Sequence, residues 1–464
     1  MIRFLRQYYP IRGVILFTGE TLLIFTSILL ATIVRFVGAD YLVTNFWILL
    51  PKAVLIVAVC QLVFHYTDFY DLQAAGCPLK LALKLIQSLG VASIILAFIY
   101  YCAPNMVIGR GVFLIGISFI AILTYGWRFL IHLLFRIKRF SQKILIVGSG
   151  NLAKHVAREI LARKDFAFKI LGFVDKDPGK IGQTVLNPKI ICSYDQLCDI
   201  AERHFPTTLI VAMDDRRNGF PLNELLTCKM RGMTIEDHST FLEKLTGKLM
   251  VENLNPSHLI FSDGFKKSKI ILTTRRLTEI FLSLAGLIIL SPLILLVSIV
   301  IKMDSKGPVF FKQERVGENN RNFNVYKFRS MRSDAESHTG PVWAAENDPR
   351  ITRVGRYIRK FRIDEIPQIW NVLKGDMSFI GPRPERPCFV EELTKMIPYY
   401  SQRHSVKPGI TGWAQIKYSY GASVEDAMEK LKYDLYYIKN MSPFFDLSIL
   451  FETVKIVLFG KGAR

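Results

Sequence analysis

The chain has 464 residues, half of them hydrophobic, and a formal net charge of +21. That length allows about three domains; the apolar content excludes an ordinary soluble protein, and the charge asks for an anionic partner among nucleic acid, anionic lipid and phosphorylated substrates. Seven cysteines are scattered without CxxC or Cys/His spacing, so neither a disulfide framework nor a zinc site is indicated and the soluble part reads as reduced.

Apolar stretches occupy residues 14–34, 46–63, 83–101 and 112–134, each near the ~20 residues that a spanning helix requires. Residues 1–140 are therefore predicted to form a transmembrane domain of four helices. The first run is too long for the apolar part of a cleavable signal peptide. Arg3, Arg6 and Arg12 precede the first helix, Lys80 and Lys84 lie before the third, and Arg136, Lys138 and Arg139 follow the fourth, while the other two loops carry only Arg110. The positive-inside rule then puts both ends of the domain in the cytoplasm. Glu20 and Lys52, within or beside apolar runs, read as a structural pair or as snorkelling groups rather than as a transport path.

Residues 141–266 change character. A strand, ILIVG, leads into Gly148, Ser149 and Gly150 and then a helical run; a second strand, KILGFVD, ends at Asp175, and TLIVAM and MTIED supply further strands. This is a Rossmann-like opening, in which Gly148 and Gly150 permit a tight turn and a helix N-terminus faces a phosphate. Ala153 replaces the third glycine, and a fold-only or regulatory domain stands beside nucleotide binding as a reading.

The next apolar run, 277–301, could span the membrane, but Ser291 and Pro292 interrupt it and basic residues flank both sides: Arg275 and Arg276 before, Lys302, Lys306 and Lys312 after. Proline bends a helix by removing a backbone donor. A broken helix that enters and returns on one face satisfies both features, and it makes residues 267–464 a mainly α domain anchored by a re-entrant helix.

Beyond it the chain is basic and dense in motifs. KFRSM contains Lys327 and Arg329. In DPRITRVGRYIRKFRIDE, Arg353, Arg356 and Lys360 recur at helical spacing beside Val354, Ile358 and Phe361, a pattern that suits an anionic membrane surface. The run ends on Asp364 and Glu365, ahead of a helix begun by Pro367 and stopped near Gly375. Its macrodipole would favour an ionised carboxylate, and neighbouring helical residues face different ways, so one acid can attack while the other binds metal. GPRPERP holds Arg383 between prolines as a bidentate phosphate contact, and KPGITGWAQ adds Lys407 and glycines that allow backbone to approach a ligand. Asp434 and Asp446 read as caps or surface charges.

In this order, SP in an apolar hairpin, KFRSM, DPRIT, RIDEIPQ, NVLKGDMS, GPRP and KPGITGWAQ resemble the bacterial sugar transferase family of monotopic phosphoglycosyl transferases over residues 270–464. With the preceding membrane helices and Rossmann-like domain, the chain resembles the large polyprenyl-phosphate hexose-1-phosphate transferases of exopolysaccharide and O-antigen synthesis. KFRSM for KFRTM, and Ile363 where leucine is frequent, conserve size and character. The resemblance implies that Asp364 attacks the sugar-linked phosphate of a UDP-sugar, releasing UMP, and that polyprenyl (undecaprenyl) phosphate then accepts the phosphosugar. It implies Glu365 as ligand to Mg²⁺, and Arg359, Arg383, Lys327, Arg329 and Lys407 as phosphate-binding cations. Membrane lipid is a further partner, a second copy of the chain a candidate one, and nucleic acid none. The implied location is the bacterial inner membrane, with the catalytic domain on its cytoplasmic face.

Two other readings bear on the same layout. A membrane-anchored sugar-nucleotide dehydratase or epimerase would need a Tyr-x-x-x-Lys pair, and no tyrosine has a lysine four residues on. A non-catalytic scaffold would have no use for the acid pair and GPRP.

Overall fold

The computed structural model describes residues 2–4, 7–9, 11–70, 78–136, 142–163, 168–204, 206–217, 219–253, 264–265, 268–332, 348–418, 421 and 423–459. The chain divides into two compact units, residues 1–4 with 8–238 and residues 5–7 with 239–464. The expected boundaries at 140/141 and 266/267, and the flanking charges Arg6, Lys138 and Arg139, lie outside the described residues.

Short strands β1 (Ile2–Phe4) and β2 (Gln7–Tyr9) precede the helices of the first unit, α1 (Ile11–Phe36), α2 (Asp40–Tyr66), α3 (Pro78–Cys102) and α4 (Arg110–Arg136). Ile24, Ile28, Ile56, Phe64, Leu85 and Ile120 share one buried cluster among the helices. Gly19 lets α1 approach α4, because a Cβ there would meet the Trp127 ring. Glu20 does not pair with Lys52. Its carboxylate accepts from Arg128 Nε at 2.6 Å, both side chains being almost fully buried, while Lys52 Nζ donates to the Val107 carbonyl at 2.8 Å. Arg128 also donates to the Phe69 carbonyl and stacks 3.7 Å from the Phe69 ring centroid. A charge inside an apolar bundle needs its partner at the same depth, and Arg128, one α4 residue within an apolar run, supplies it.

The rest of this unit is a parallel sheet of five strands in the order β5-β4-β3-β6-β7: β3 (Gln142–Val147), β4 (Phe168–Asp175), β5 (Ile190–Ser193), β6 (Thr208–Val211) and β7 (Thr234–Asp237). Helices α5 (Asn151–Ala162), α6 (Leu197–His204) and α7 (Leu222–Met230) connect them. β3 is central, pairing with β4 and β6, and the residues Ile144 to Val147 are completely buried, as the unbroken apolar run ILIV requires.

The second unit starts with α8 (His238–Thr246), followed by α9 (Lys269–Asp304). Five helices of the described residues, α1 to α4 and α9, are long and apolar enough to cross a membrane. α9 is helical through Ser291 and Pro292, so the expected interruption is not a break in the helix. Pro292 cannot donate to the Ile288 carbonyl, four residues back; the Ser291 hydroxyl donates to it instead, at 2.8 Å.

Next come the antiparallel pair β8 (Phe310–Val316) and β9 (Asn322–Phe328), then α10 (Arg353–Lys360), α11 (Gln368–Lys374), β10 (Ser378–Ile380), α12 (Pro387–Met396), β11 (Gly409–Thr411), α13 (Trp413–Lys417), α14 (Val424–Asn440) and α15 (Pro443–Phe459). Leu249 and Val251 join Ile380, Tyr400, Leu435, Tyr437 and Phe445 in the main core of this unit. α8 is bound to the same body: Glu243 pairs with Lys439 at 2.7 Å, both about 9% exposed, and Trp413 Nε1 donates to the Gly247 carbonyl at 2.9 Å.

Candidate active site

α10 starts at Thr352, whose hydroxyl accepts from the Gly355 N–H at 2.9 Å, and it is followed by a reversal at Arg362, held at φ +55°. That left-handed residue turns the chain into a single 3₁₀ turn, Ile363–Glu365, ahead of Pro367 and α11. The acids therefore sit ahead of the helix, in a turn of their own. α11 ends where Gly375, at φ +98°, donates to the Asn371 and Val372 carbonyls, and Arg276 of α9 donates to the Val372 and Leu373 carbonyls at 2.6 and 2.7 Å. Buried Asn371 sews α11 to β9, accepting from the Tyr326 N–H at 3.0 Å and donating to the Asn324 carbonyl at 2.7 Å. This brings Lys327, on β9, to the acid pair.

Both acids are buried, and their surroundings differ. Glu365 accepts from Arg383 at 2.5 Å, with Lys327 Nζ at 3.7 Å and Arg362 at 4.0 Å. Burial alone would raise its pKa, but Arg383, Lys327 and Arg362 outweigh burial and hold the carboxyl well below the usual carboxylate range. No described residue donates a hydrogen bond to the Asp364 carboxylate. Burial and the Glu365 charge push its pKa above the ordinary value, against the opposing charges of Lys327, Arg359 and Arg383. These cations favour its ionised form. Burial in turn lowers the pKa of Lys327, with Glu365 opposing, while Glu365 raises that of Arg383.

The GPRP loop is fixed from outside. Arg403 donates to the Arg383 carbonyl at 3.0 Å and pairs with buried Asp434 at 2.8 Å; Arg315 donates to the Pro384 carbonyl and to Glu385, each at 3.2 Å. β10 and β11 pair in parallel, Ser378 with Gly409 and Ile380 with Thr411. A Cβ on Gly381 or Gly409 would strike the opposite backbone, so these glycines serve the approach of two chain segments, not of a ligand. Asp434 and Asp446 are not surface charges: Asp434 binds Arg403, and Asp446 accepts from Tyr437 at 2.8 Å. Burial pushes the Asp434 carboxyl up to about 6.

The sequence-predicted cations thus separate. Arg383, Lys327 and Arg359 act on the acid pair. Arg329 is buried and donates to the Ser305 and Lys306 carbonyls at 2.7 and 3.0 Å, closing the end of α9. Lys407 lies beside Gly375 and Arg276, at the far end of α11. The carbonyl-binding roles of Arg276, Arg315, Asn371 and Arg403 have no signal in the sequence, since an arginine or asparagine that binds carbonyls has no local pattern.

The donor chemistry fits magnesium. No three His, Cys, Asp or Glu side chains converge among the described residues, but Mg²⁺ usually takes one or two carboxylates and completes its shell with phosphate and water. Glu365 is the carboxylate that would offer such an oxygen.

Residues 270–460 match the model of the bacterial sugar transferase family, and residues 65–218 match that of a CoA-binding domain. The chain is 43% identical over 240 residues to a UDP-N-acetylgalactosamine-undecaprenyl-phosphate N-acetylgalactosaminephosphotransferase of Aeromonas hydrophila, covering 52% of this chain and 56% of the relative. It is 34% identical over 343 residues to an undecaprenyl-phosphate glucose phosphotransferase of Komagataeibacter xylinus, covering 72% and 62%. The matches thus span under two thirds of these two relatives. An exopolysaccharide production protein, PSS, of Rhizobium leguminosarum bv. phaseoli is 44% identical over 200 residues, 41% of this chain and 98% of its own length. With a relative at this identity matched over nearly its whole length, and with the family model matching residues 270–460, the chain belongs to the bacterial sugar transferase family.

Proposed function

We propose that the chain transfers a hexose 1-phosphate from a UDP-sugar to polyprenyl (undecaprenyl) phosphate on the cytoplasmic face of the bacterial inner membrane, beginning exopolysaccharide or O-antigen synthesis. The observation that carries this reading is the asymmetry of the acid pair: Glu365 is tied to Arg383, whereas the Asp364 carboxylate, accepting no hydrogen bond from any described residue, lies within reach of three cationic fields. An Asp364 oxygen attacks the sugar-linked phosphorus, the bond from that phosphorus to the UMP oxygen breaks, and UMP leaves. An oxygen of polyprenyl phosphate then attacks the same phosphorus and displaces the Asp364 carboxylate, giving a polyprenyl diphosphate sugar. Arg383, Arg359 and Lys327 orient the phosphates and balance their charge. Mg²⁺ held by Glu365 would supply further positive charge against the diphosphate.

Support for one-sided attachment comes from α9. Arg275 and Arg276 near its start bond to Ser378, Val372 and Leu373, and its end is bound by Arg329. A straight helix of this length would reach ~54 Å, while the hydrocarbon layer is ~30 Å thick; both ends are nevertheless bound by elements of the same unit.

The test incubates purified protein with polyprenyl phosphate, Mg²⁺ and UDP-glucose, UDP-galactose or UDP-N-acetylgalactosamine, and measures UMP. One donor should yield UMP, and Asp364→Asn should lose on the order of a thousandfold or more while staying folded. Release of UDP, or substantial UMP from Asp364→Asn, would overturn the reading.

A further inference from the structure

The G-S-G turn and the match to a CoA-binding domain over residues 65–218 both imply a nucleotide in the Rossmann-like sheet. The residues there do not fit one. In such folds the pyrophosphate lies on the first N–H groups of the helix that follows the glycine turn. Here those donors are taken: the N–H groups of Asn151 and Leu152 donate to the two oxygens of Asp214 at 2.8 and 2.9 Å. Gly150, the residue before α5, offers no side-chain cap of its own, so a carboxylate from beyond β6 supplies it.

The glycines lead to the same conclusion. A Cβ on Gly150 would collide with the Asp214 carboxylate, and one on Gly148, at φ +122°, would collide with the Ala212 carbonyl. Both small residues are thereby explained by the chain's own atoms. Asp175, at the end of β4 where such folds place a carboxylate for the ribose, accepts from Ser149 Oγ, from the Asp177 N–H at 2.9 Å and from Lys180 Nζ at 3.3 Å. Asp175 is thus already occupied by the chain's own donors, and a diphosphate entering this turn would have to displace the Asp214 carboxylate against its negative charge.

We infer that Asp214 stands in for the nucleotide phosphate at the N-terminus of α5, and that this Rossmann-like domain binds neither CoA nor a dinucleotide. Its sheet serves as a closed scaffold.

The full-length protein in nanodiscs tests this by hydrogen exchange with mass spectrometry, in the absence and presence of millimolar CoA, NAD⁺ or ADP. Peptides covering 148–155 and 212–217 should exchange at the same rate in all samples. Asp214→Ala should speed exchange in the first peptide by about fivefold, the scale of a lost N-cap, and Asp214→Asn, which keeps an acceptor oxygen, should fall between. Nucleotide protection appearing only in Asp214→Ala supports the substitution of one anion for another. Saturable protection of the wild-type peptides by any of the three nucleotides would overturn the inference, and this comparison needs no variant to fold. Wild-type exchange in a folded Asp214→Ala would remove Asp214 from its role.

Discussion

Asp364 and Glu365 are neighbours with opposite electrostatic fates, and the difference comes from what surrounds each. Arg383, with Lys327 and Arg362, overcomes the burial of Glu365, while Asp364 gains no hydrogen bond from any described residue and faces the Glu365 charge. In the proposed reaction such a poorly satisfied carboxylate would be the more reactive nucleophile of the two. Its raised pKa means that activity falls with acid as Asp364 takes up a proton, so the acid limb of kcat/KM should lie above the ordinary aspartate range. Lys327→Gln removes a cation that favours the ionised form, and the limb should move to higher pH; a limb that stays in place, measured by UMP release from pH 4 to 8, would remove Lys327 from this role. The same shift carries a sign for stability. A group raised in the folded state contributes stability that is complete below its unfolded pKa and is lost as pH rises through the folded one. Ionised Asp364 is therefore a burden at neutral pH, and Asp364→Asn should melt at or above the wild-type temperature there.

Among the elements, α9 shows how a proline can lie in an apolar helix without leaving a carbonyl unpaired. The Ser291 hydroxyl and the missing N–H of Pro292 act on one acceptor, the Ile288 carbonyl. The two substitutions should therefore be coupled: Ser291→Ala alone should cost ~1 kcal/mol by orphaning that carbonyl, but close to nothing in a Pro292→Leu background, where a backbone N–H returns. Thermal melts of the four proteins in one detergent measure the coupling. Additive effects would mean that the hydroxyl does not serve this carbonyl.

At the scale of the molecule, the catalytic unit reaches further toward the N-terminus than its motifs suggest. Lys439 is buried against Glu243, and Leu249 and Val251 lie in the core with Tyr437 and Phe445. A protein beginning at Ser239 should keep this unit intact, whereas one beginning at Lys267 leaves Lys439 buried without its partner, a loss of ~3–5 kcal/mol, and uncovers two core side chains at ~1.5–3 kcal/mol each. Gel filtration and thermal melting in matched detergent should show the shorter protein aggregated or far less stable; equal behaviour would make α8 dispensable.

Sequence alone revealed what short-range pattern encodes. The apolar runs, the strands ILIV and TLIV, the turn at Gly375 and the acid pair ahead of Pro367 all follow from local periodicity and backbone preference. Partner choice did not. Glu20 meets Arg128, 108 positions away, Asn151 meets Asp214, 63 positions away, and Arg329 meets the end of α9, because those pairings are set only when elements pack. β5, four residues long, is too short to carry a period of its own.

Arg329 grips the end of α9 from a position two residues after Lys327, at the exit of β9. Membrane anchor and active-site cation are thus joined by a stiff link of three residues, like a lever with its fulcrum in the strand. Any tilt that a thicker or thinner bilayer imposes on α9 bears on the lysine beside Glu365. For the proposed reaction, lipid thickness would then be an input alongside the concentrations of the two substrates.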